Sequence, residues 1–260
     1  MTDNRRVYIE GHRGFCAKYP ENTLASFRAA MALPIDAFEF DVWLSRDKVP
    51  VIMHDGNARR TTGVDRHLRD MTLEEIKALD AGGLFDPAFR GEKVPSLREV
   101  LSLVKETRPS LRLGVEIKEY TEETVDIAVP ILKKYGFFDT ACFYAFDVPT
   151  LRWLKNKYGA RTMGYPDFQM GRWDAHGYEC YDEIGLNLRI AHSEILPVYQ
   201  AKKLPIHMYC ADTAEEVAYC MAQEGTVLIT GNDPVPLMKA LGRNVPETVT
   251  AGQFTVRTDA

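Results

Sequence analysis

"VYIEGHRGFCAKYPENTLASF", residues 7–27, holds in one stretch the unit from which the fold is read. VYIEGH, residues 7–12, is short, mostly apolar and rich in β-branched and aromatic side chains, as a buried strand is. The run stops at His12 and Arg13, a polar turn follows, and an amphipathic helical pattern takes over behind Asn22 or Thr23, both good N-caps. Strand, loop and helix make one βα unit. It leaves an imidazole and a guanidinium side by side where the strand runs out.

The same unit recurs almost to the end of the chain. Strands are predicted at 7–12, 36–44, 111–118, 141–146, 161–165, 184–188, 205–210 and 226–230, and PVIMH, 50–54, follows the second too closely to be anything but its hairpin partner. Between them lie amphipathic segments such as SLREVLSLVKETR and EETVDIAVPILKKY, with Thr72, Ser96, Thr121, Ser193 and Thr213 as further expected caps. Strands alternating with helices of this length pair in parallel. Eight βα units in 260 residues are the size of a (β/α)8 TIM barrel, with an open doubly wound sheet as the competitor. With no linker, low-complexity tract or internal repeat, residues 1–260 read as a single barrel domain carrying a small insertion after the second strand, at 55–95.

Bulk composition narrows the function. The hydrophobic fraction is 45%, the charged fraction 27% and the net charge -5, with acids and bases interspersed, so no basic stripe is present to track a nucleic-acid backbone. Five scattered cysteines without a CxxC pair fit neither a disulfide framework nor a zinc knuckle. No apolar window of membrane-spanning length occurs, and the expected location is cytoplasmic.

In a parallel barrel, chemistry is placed where strands end. The second strand reads Phe38-Glu39-Phe40-Asp41, and acids two apart on a strand share a face, their Cα atoms roughly 6.5 Å apart. The hairpin strand ends at His54-Asp55, and the third barrel strand at Glu116-Ile117-Lys118. Three carboxylates at one rim repel unless a cation sits among them, and an all-oxygen set suits one hard divalent ion, Mg²⁺ or Ca²⁺, rather than zinc. Arg13 and Lys118 then supply positive charge with nothing fixed to neutralise it, as an anionic substrate such as a phosphate ester requires. His12 and His54 are the candidate acid and base. The bland alternatives are an exposed Glu116–Lys118 ion pair, a loop-capping His54, and core packing for Tyr209.

The sequence also resembles the glycerophosphodiester phosphodiesterase family. The resemblance lies in HRG (12–14), PENT (20–23), EFDVWLSRDKVPVIMHD (39–55), RRTTG (59–63), DMTLEEIKALDAG (70–82), VPSLREVL (94–101) and EIK (116–118), and thins to AFD (145–147) and TGNDP (230–234). It implies a (β/α)8 barrel that hydrolyses glycerophosphodiesters to glycerol 3-phosphate and an alcohol. The mechanism it implies has a substrate hydroxyl attack phosphorus, and water then opens the cyclic phosphate. Carried over by position, Glu39, Asp41 and Glu116 match its metal ligands, His12 and His54 its acid/base pair, and Arg13 and Lys118 its phosphate contacts. Tyr209 stands where the family commonly has tryptophan, against the alcohol; TGNDP is one residue longer than the usual TNDP, and AFD replaces SFD. The rivals are a lysophospholipase D or sugar-phosphodiester hydrolase with the same metal site, and a non-catalytic anion-binding barrel.

Overall fold

The computed structural model describes residues 6–258. Among them eleven strands are formed: β1 Tyr8–Gly11, β2 Ala37–Leu44, β3 Pro50–Ile52, β4 Arg112–Ile117, β5 Ala141–Tyr144, β6 Thr162–Gly164, β7 Glu183–Asn187, β8 Ile206–Tyr209, β9 Thr226–Gly231, β10 Thr248–Ala251 and β11 Phe254–Arg257. Their parallel order is β1-β2-β4-β5-β6-β7-β8-β9, and β9 pairs back onto β1, which closes an eight-stranded barrel and rules out the open sheet. As expected, β3 runs antiparallel to β2.

The helices are α1 Leu24–Ala32, α2 Arg59–Thr62, α3 Leu73–Ala78, α4 Leu97–Thr107, α5 Glu122–Tyr135, α6 Val148–Tyr158, α7 Leu188–Ala191, α8 Leu196–Gln200, α9 Ala214–Ala222 and α10 Val235–Ala240. Local chemistry sets their ends. Thr23 caps α1, reciprocal Thr/Ser–Glu capping boxes start α3, α4 and α9, and Gly136 and Gly159 close α5 and α6 at positive φ, where a Cβ is disfavoured. Ser193 is not a cap. Its hydroxyl turns back to the Ile190 carbonyl at 2.7 Å, and the segment after β7 is two short helices, the second opened by Pro197.

Strand alternation separates core from site. Phe38 and Phe40 of β2 point outward, are fully buried and pack on Phe27 of α1, with Phe27 stacked on Phe38 at 4.6 Å between ring centroids. Each such side chain contributes roughly 1.5–3 kcal/mol through burial. Glu39 and Asp41, between and after them, therefore face the barrel interior. Val51, Met53 and Val94 join Ala58, Leu68, Met71 and Ile76 in a second apolar cluster beneath the segment after β3.

The β10–β11 hairpin has no counterpart among the predicted strands. It closes over α1, where Tyr19 donates its hydroxyl hydrogen to the Val249 carbonyl at 2.9 Å and Phe254 packs on Phe89. All five cysteines are free, and among the described residues no helix is long and apolar enough to cross a membrane.

Candidate active site

His12 and Arg13 follow β1 directly. Arg13 lies at φ 50° and Gly14 at φ 87°, a left-handed turn that swings the guanidinium back over the barrel. A Cβ on Gly14 would sit 2.7 Å from the Ser26 backbone, so α1 packs against this turn only when glycine is there. The turn also aims the Arg13 amide at Glu39, whose Oε2 it reaches at 3.0 Å.

Asp41 of β2 lies opposite Glu116 of β4 in register, so the two inward faces meet. Glu39, Asp41 and Glu116 are buried, and each offers an oxygen within 4.8 Å of the others'. Glu39 Oε1 has no hydrogen-bond partner, an expensive condition for a buried carboxylate. Burial, with Asp41 and Glu116 close by, holds the Glu39 carboxyl well above the usual carboxylate range. Burial raises Glu116 also. Burial opposes charge on Asp41 as well, but Lys118, Arg13 and His54 outweigh it and hold Asp41 low. Two desolvated acids that resist ionisation beside one kept low, with an unpartnered oxygen, fit a hard divalent cation bound through oxygen.

The two cations are not free, contrary to the expectation from sequence. Lys118 Nζ lies 2.7 Å from Glu116 Oε1 and 3.2 Å from Asp41 Oδ1; Arg13 bonds Glu21 at 2.8 Å and lies 3.5 Å from Asp41. The buried acids draw both in as counter-ions. Glu21, to which the motifs assign no role, is also gripped by Arg60, which in turn holds Asp55 at 2.5 Å, and Asp55 receives the His54 Nδ1 hydrogen at 2.7 Å. Asn22 donates to Asp41 at 2.7 Å. PENT, RRTTG and MHD are thus one polar chain around the rim.

His12 and His54 line one cavity of about 170 Å³ together with Arg13, Glu39, Glu116 and Lys118. His12 Nε2 is 4.0 Å from Glu39 Oε2, and its Nδ1 is 2.7 Å from Asn232 Oδ1. Burial and the Arg13 charge push the His12 pKa down to about 4; burial lowers His54 as well. Tyr209 stands on the opposite wall, edge-on to Tyr165, which stacks on Phe146 at 3.6 Å. From the aromatic stretch 165–181 only Tyr165 reaches the cavity, while Trp173 and Tyr178 pack on each other and Tyr181.

One buried group escapes sequence reasoning. Glu10, inward on β1, takes hydrogen bonds from Tyr144 at 3.0 Å and Thr230 at 2.8 Å, and His207 Nε2 lies 3.1 Å away. Burial opposes its charge, yet these partners hold its pKa below the ordinary value. It forms a polar floor under the carboxylates, where barrels usually stack branched apolar side chains. His176 pairs with Glu179 on the surface and His192 stacks on Tyr219, so neither joins the site.

The closed parallel barrel thus gathers three buried carboxylates, two imidazoles and two cations at one mouth. The model of the glycerophosphoryl diester phosphodiesterase family matches residues 12–232, and the chain belongs to that family. A glycerophosphodiester phosphodiesterase of Caldanaerobacter subterraneus subsp. tengcongensis is 35% identical over 154 residues, 58% of this chain and 62% of that protein. One from Bacillus altitudinis is 38% identical over 110 residues, 42% and 44% of the two. The chain thus spans about half the length of these curated relatives. A phosphodiesterase of Oleispira antarctica, solved in complex with the product sn-glycerol-3-phosphate, has the same fold at a TM-score of 0.79 and 24% identity, covering 90% of this chain and 96% of that one.

Proposed function

We propose that this chain hydrolyses glycerophosphodiesters to glycerol 3-phosphate and an alcohol, through a site assembled at the mouth of its single barrel domain. The observation that carries the reading is the buried Glu39–Asp41–Glu116 cluster with an unpartnered oxygen, flanked in one cavity by two imidazoles and two cations. Glu39, Asp41 and Glu116 would hold one divalent ion, Mg²⁺ or Ca²⁺. When bound, it neutralises charge on the non-bridging phosphate oxygens. Arg13 and Lys118 contact the same oxygens, trading carboxylate partners for phosphate.

His12 is neutral at working pH, and its Nε2 accepts the proton of the glycerol hydroxyl that attacks phosphorus. His54, whose imidazolium is disfavoured by burial and supported by the Asp55 carboxylate on Nδ1, takes up a proton and hands it to the leaving alcohol oxygen. Water opens the cyclic phosphate with the two roles exchanged. Tyr209 bounds the alcohol side. A cavity of about 170 Å³ favours a small soluble head group over a lysolipid.

The test is a panel of glycerophosphocholine, glycerophosphoethanolamine, glycerophosphoglycerol and a lysolipid, assayed with Mg²⁺, with Ca²⁺ and with chelator. Chelator-sensitive release of glycerol 3-phosphate from a soluble ester is expected. Equal turnover with and without chelator, or turnover of the lysolipid alone, refutes the reading.

A further inference from the structure

The His12 ring is held from behind by Asn232 and, through it, by Asp212, neither of which has a role in the reaction proposed above. Its Nδ1 lies 2.7 Å from Asn232 Oδ1, and an amide can present either its oxygen or its nitrogen, so on its own Asn232 leaves the tautomer of His12 open. Asp212 closes that choice. Asn232 Nδ2 donates to Asp212 Oδ2 at 2.6 Å, and the other Asp212 oxygen accepts from the Asp233 amide, so the amide nitrogen faces Asp212 and the oxygen faces His12. The hydrogen between Asn232 Oδ1 and His12 Nδ1 therefore belongs to His12. The Cys16 thiol points at the same oxygen, at 3.1 Å, as a second donor.

Backbone register builds this arrangement. β9 pairs with β1 on one side and β8 on the other, so the residue after β9 meets the ends of both neighbours. The His12 amide donates to the Gly231 carbonyl at 2.9 Å and the Ala17 amide to the Asn232 carbonyl at 3.1 Å. On the other side the Asp233 amide donates to Asp212 Oδ1 at 3.0 Å, which fixes the carboxylate. Gly231 is required at the crossing, since a Cβ there would lie 2.9 Å from the Ala211 and Asp233 carbonyl oxygens.

We propose that Asn232 and Asp212 are positioning residues for His12, acting in series to hold it as the Nδ1–H tautomer with Nε2 unprotonated on the side of Glu39. The consequence for turnover rests on the role given to His12 under Proposed function; the tautomer itself does not. The two imidazoles then differ in what stands behind them. His54 is backed by a carboxylate, whereas His12 is backed by a neutral amide that orients the ring without adding a negative charge against it.

The test uses the full chain with ¹⁵N-labelled histidine, wild type against Asp212→Asn, Asn232→Ala and His12→Ala, the last to assign the His12 resonances. Long-range ¹H–¹⁵N correlation reads the tautomer, and steady-state kinetics on the best soluble ester separate kcat from KM. Wild type is expected to show Nδ1–H at His12. Asp212→Asn, an isosteric change that frees the amide to turn over, is expected to lose the single tautomer and to lower kcat roughly 10- to 100-fold with KM little changed, the size of effect seen when the partner that orients a metal-ligating imidazole is lost. Asn232→Ala is expected to do the same; should it fail to fold, Asp212→Asn decides alone. A merely structural role would lower Tm and leave the tautomer in place. An Nε2–H imidazole in wild type, or wild-type tautomer and kcat in Asp212→Asn, overturns the proposal. Full activity in His12→Ala overturns instead the catalytic reading of His12 and leaves the tautomer result standing.

Discussion

Replacing Glu39 by Gln should make the metal-free protein more stable while removing its response to divalent cations. Two full charges 4.8 Å apart at an effective dielectric of about 20 repel by roughly 3.5 kcal/mol, and Glu39 faces two such neighbours from a buried position. The native protein avoids that repulsion by keeping Glu39 protonated beyond the ordinary 4.5, whereas the unfolded chain releases the proton near 4.5. Between those two pKa values the native state binds one more proton than the unfolded state, so stability falls as pH rises, by about 1.4 kcal/mol per unit. Below 4.5 the two states bind equally and the slope vanishes. The glutamine side chain of the variant has no proton to lose and shows no such slope.

In chelator, the Tm of Glu39→Gln should therefore draw ahead of wild type by roughly 3–5 °C for each pH unit above about 4.5, given the usual heat–stability scaling for a chain of this size. Adding Mg²⁺ or Ca²⁺ reverses the order. A ligand at one hundred times its Kd stabilises by about 2.7 kcal/mol, which wild type should show and the variant should not. Thermal unfolding by circular dichroism at pH 5, 6 and 7, with EDTA and then with millimolar cation, reads both effects. A variant no more stable than wild type at any of these pH values, or equally stabilised by cation, would falsify the placement of a metal among these three acids.

His12→Ala and His54→Ala should each lower kcat at least about 10²-fold on the best ester while keeping the cation-induced rise in Tm, because neither imidazole belongs to the carboxylate cluster; stopped-time product assays with melting curves check both halves. Glu10→Ala strips the Tyr144 and Thr230 hydroxyls of their acceptor in the barrel floor and should cost roughly 2–6 kcal/mol in urea unfolding at neutral pH. Glu10 has a depressed native pKa, so its contribution is present above the ordinary 4.5 and is lost as pH falls through the native value; the gap between Glu10→Ala and wild type should close on acidification, and a gap constant with pH would refute the charged-floor reading. Gly114→Ala would bring a Cβ within 2.7 Å of Glu10 Oε1 and 2.8 Å of the Tyr144 ring, and should cost about 1–3 kcal/mol by the same denaturation measurement.

What can be read along the chain and what cannot divide by the range of the interaction. The inward Glu39–Asp41 face and the inward Glu116 follow from period-two alternation within single strands, and their meeting follows from a parallel register that any βαβ unit imposes. The capped helix starts are equally local, written in Thr72–Glu75 and Ser96–Glu99. Helix α8 begins later than the cap signal at Ser193 predicts, because Pro197 in its first turn outweighs that signal. The terminal hairpin is hidden from sequence reading although TVTAGQFTVR alternates around Gly252, since nothing local shows that α1 and Phe89 leave an apolar face for it to cover.

The polar floor is a different matter, because it depends on side chains that only closure of the barrel brings together. Glu10 and Thr230 are 220 residues apart, Glu10 and Tyr144 134, and the pairing exists because β9 returns to β1. Gly114 shows how the floor and the mouth are linked. In register it stands opposite Glu39, and its missing side chain is the space into which Glu10 Oε1 and the Tyr144 ring project from below. A larger residue would displace the Glu10 carboxylate, and with it one of the negative charges that burial turns against Glu39. The proton affinity of the mouth acids is thus set in part by a glycine with no polar atom of its own beyond the backbone, which is why lining up the charged residues of the sequence identifies the acids but not the field they sit in.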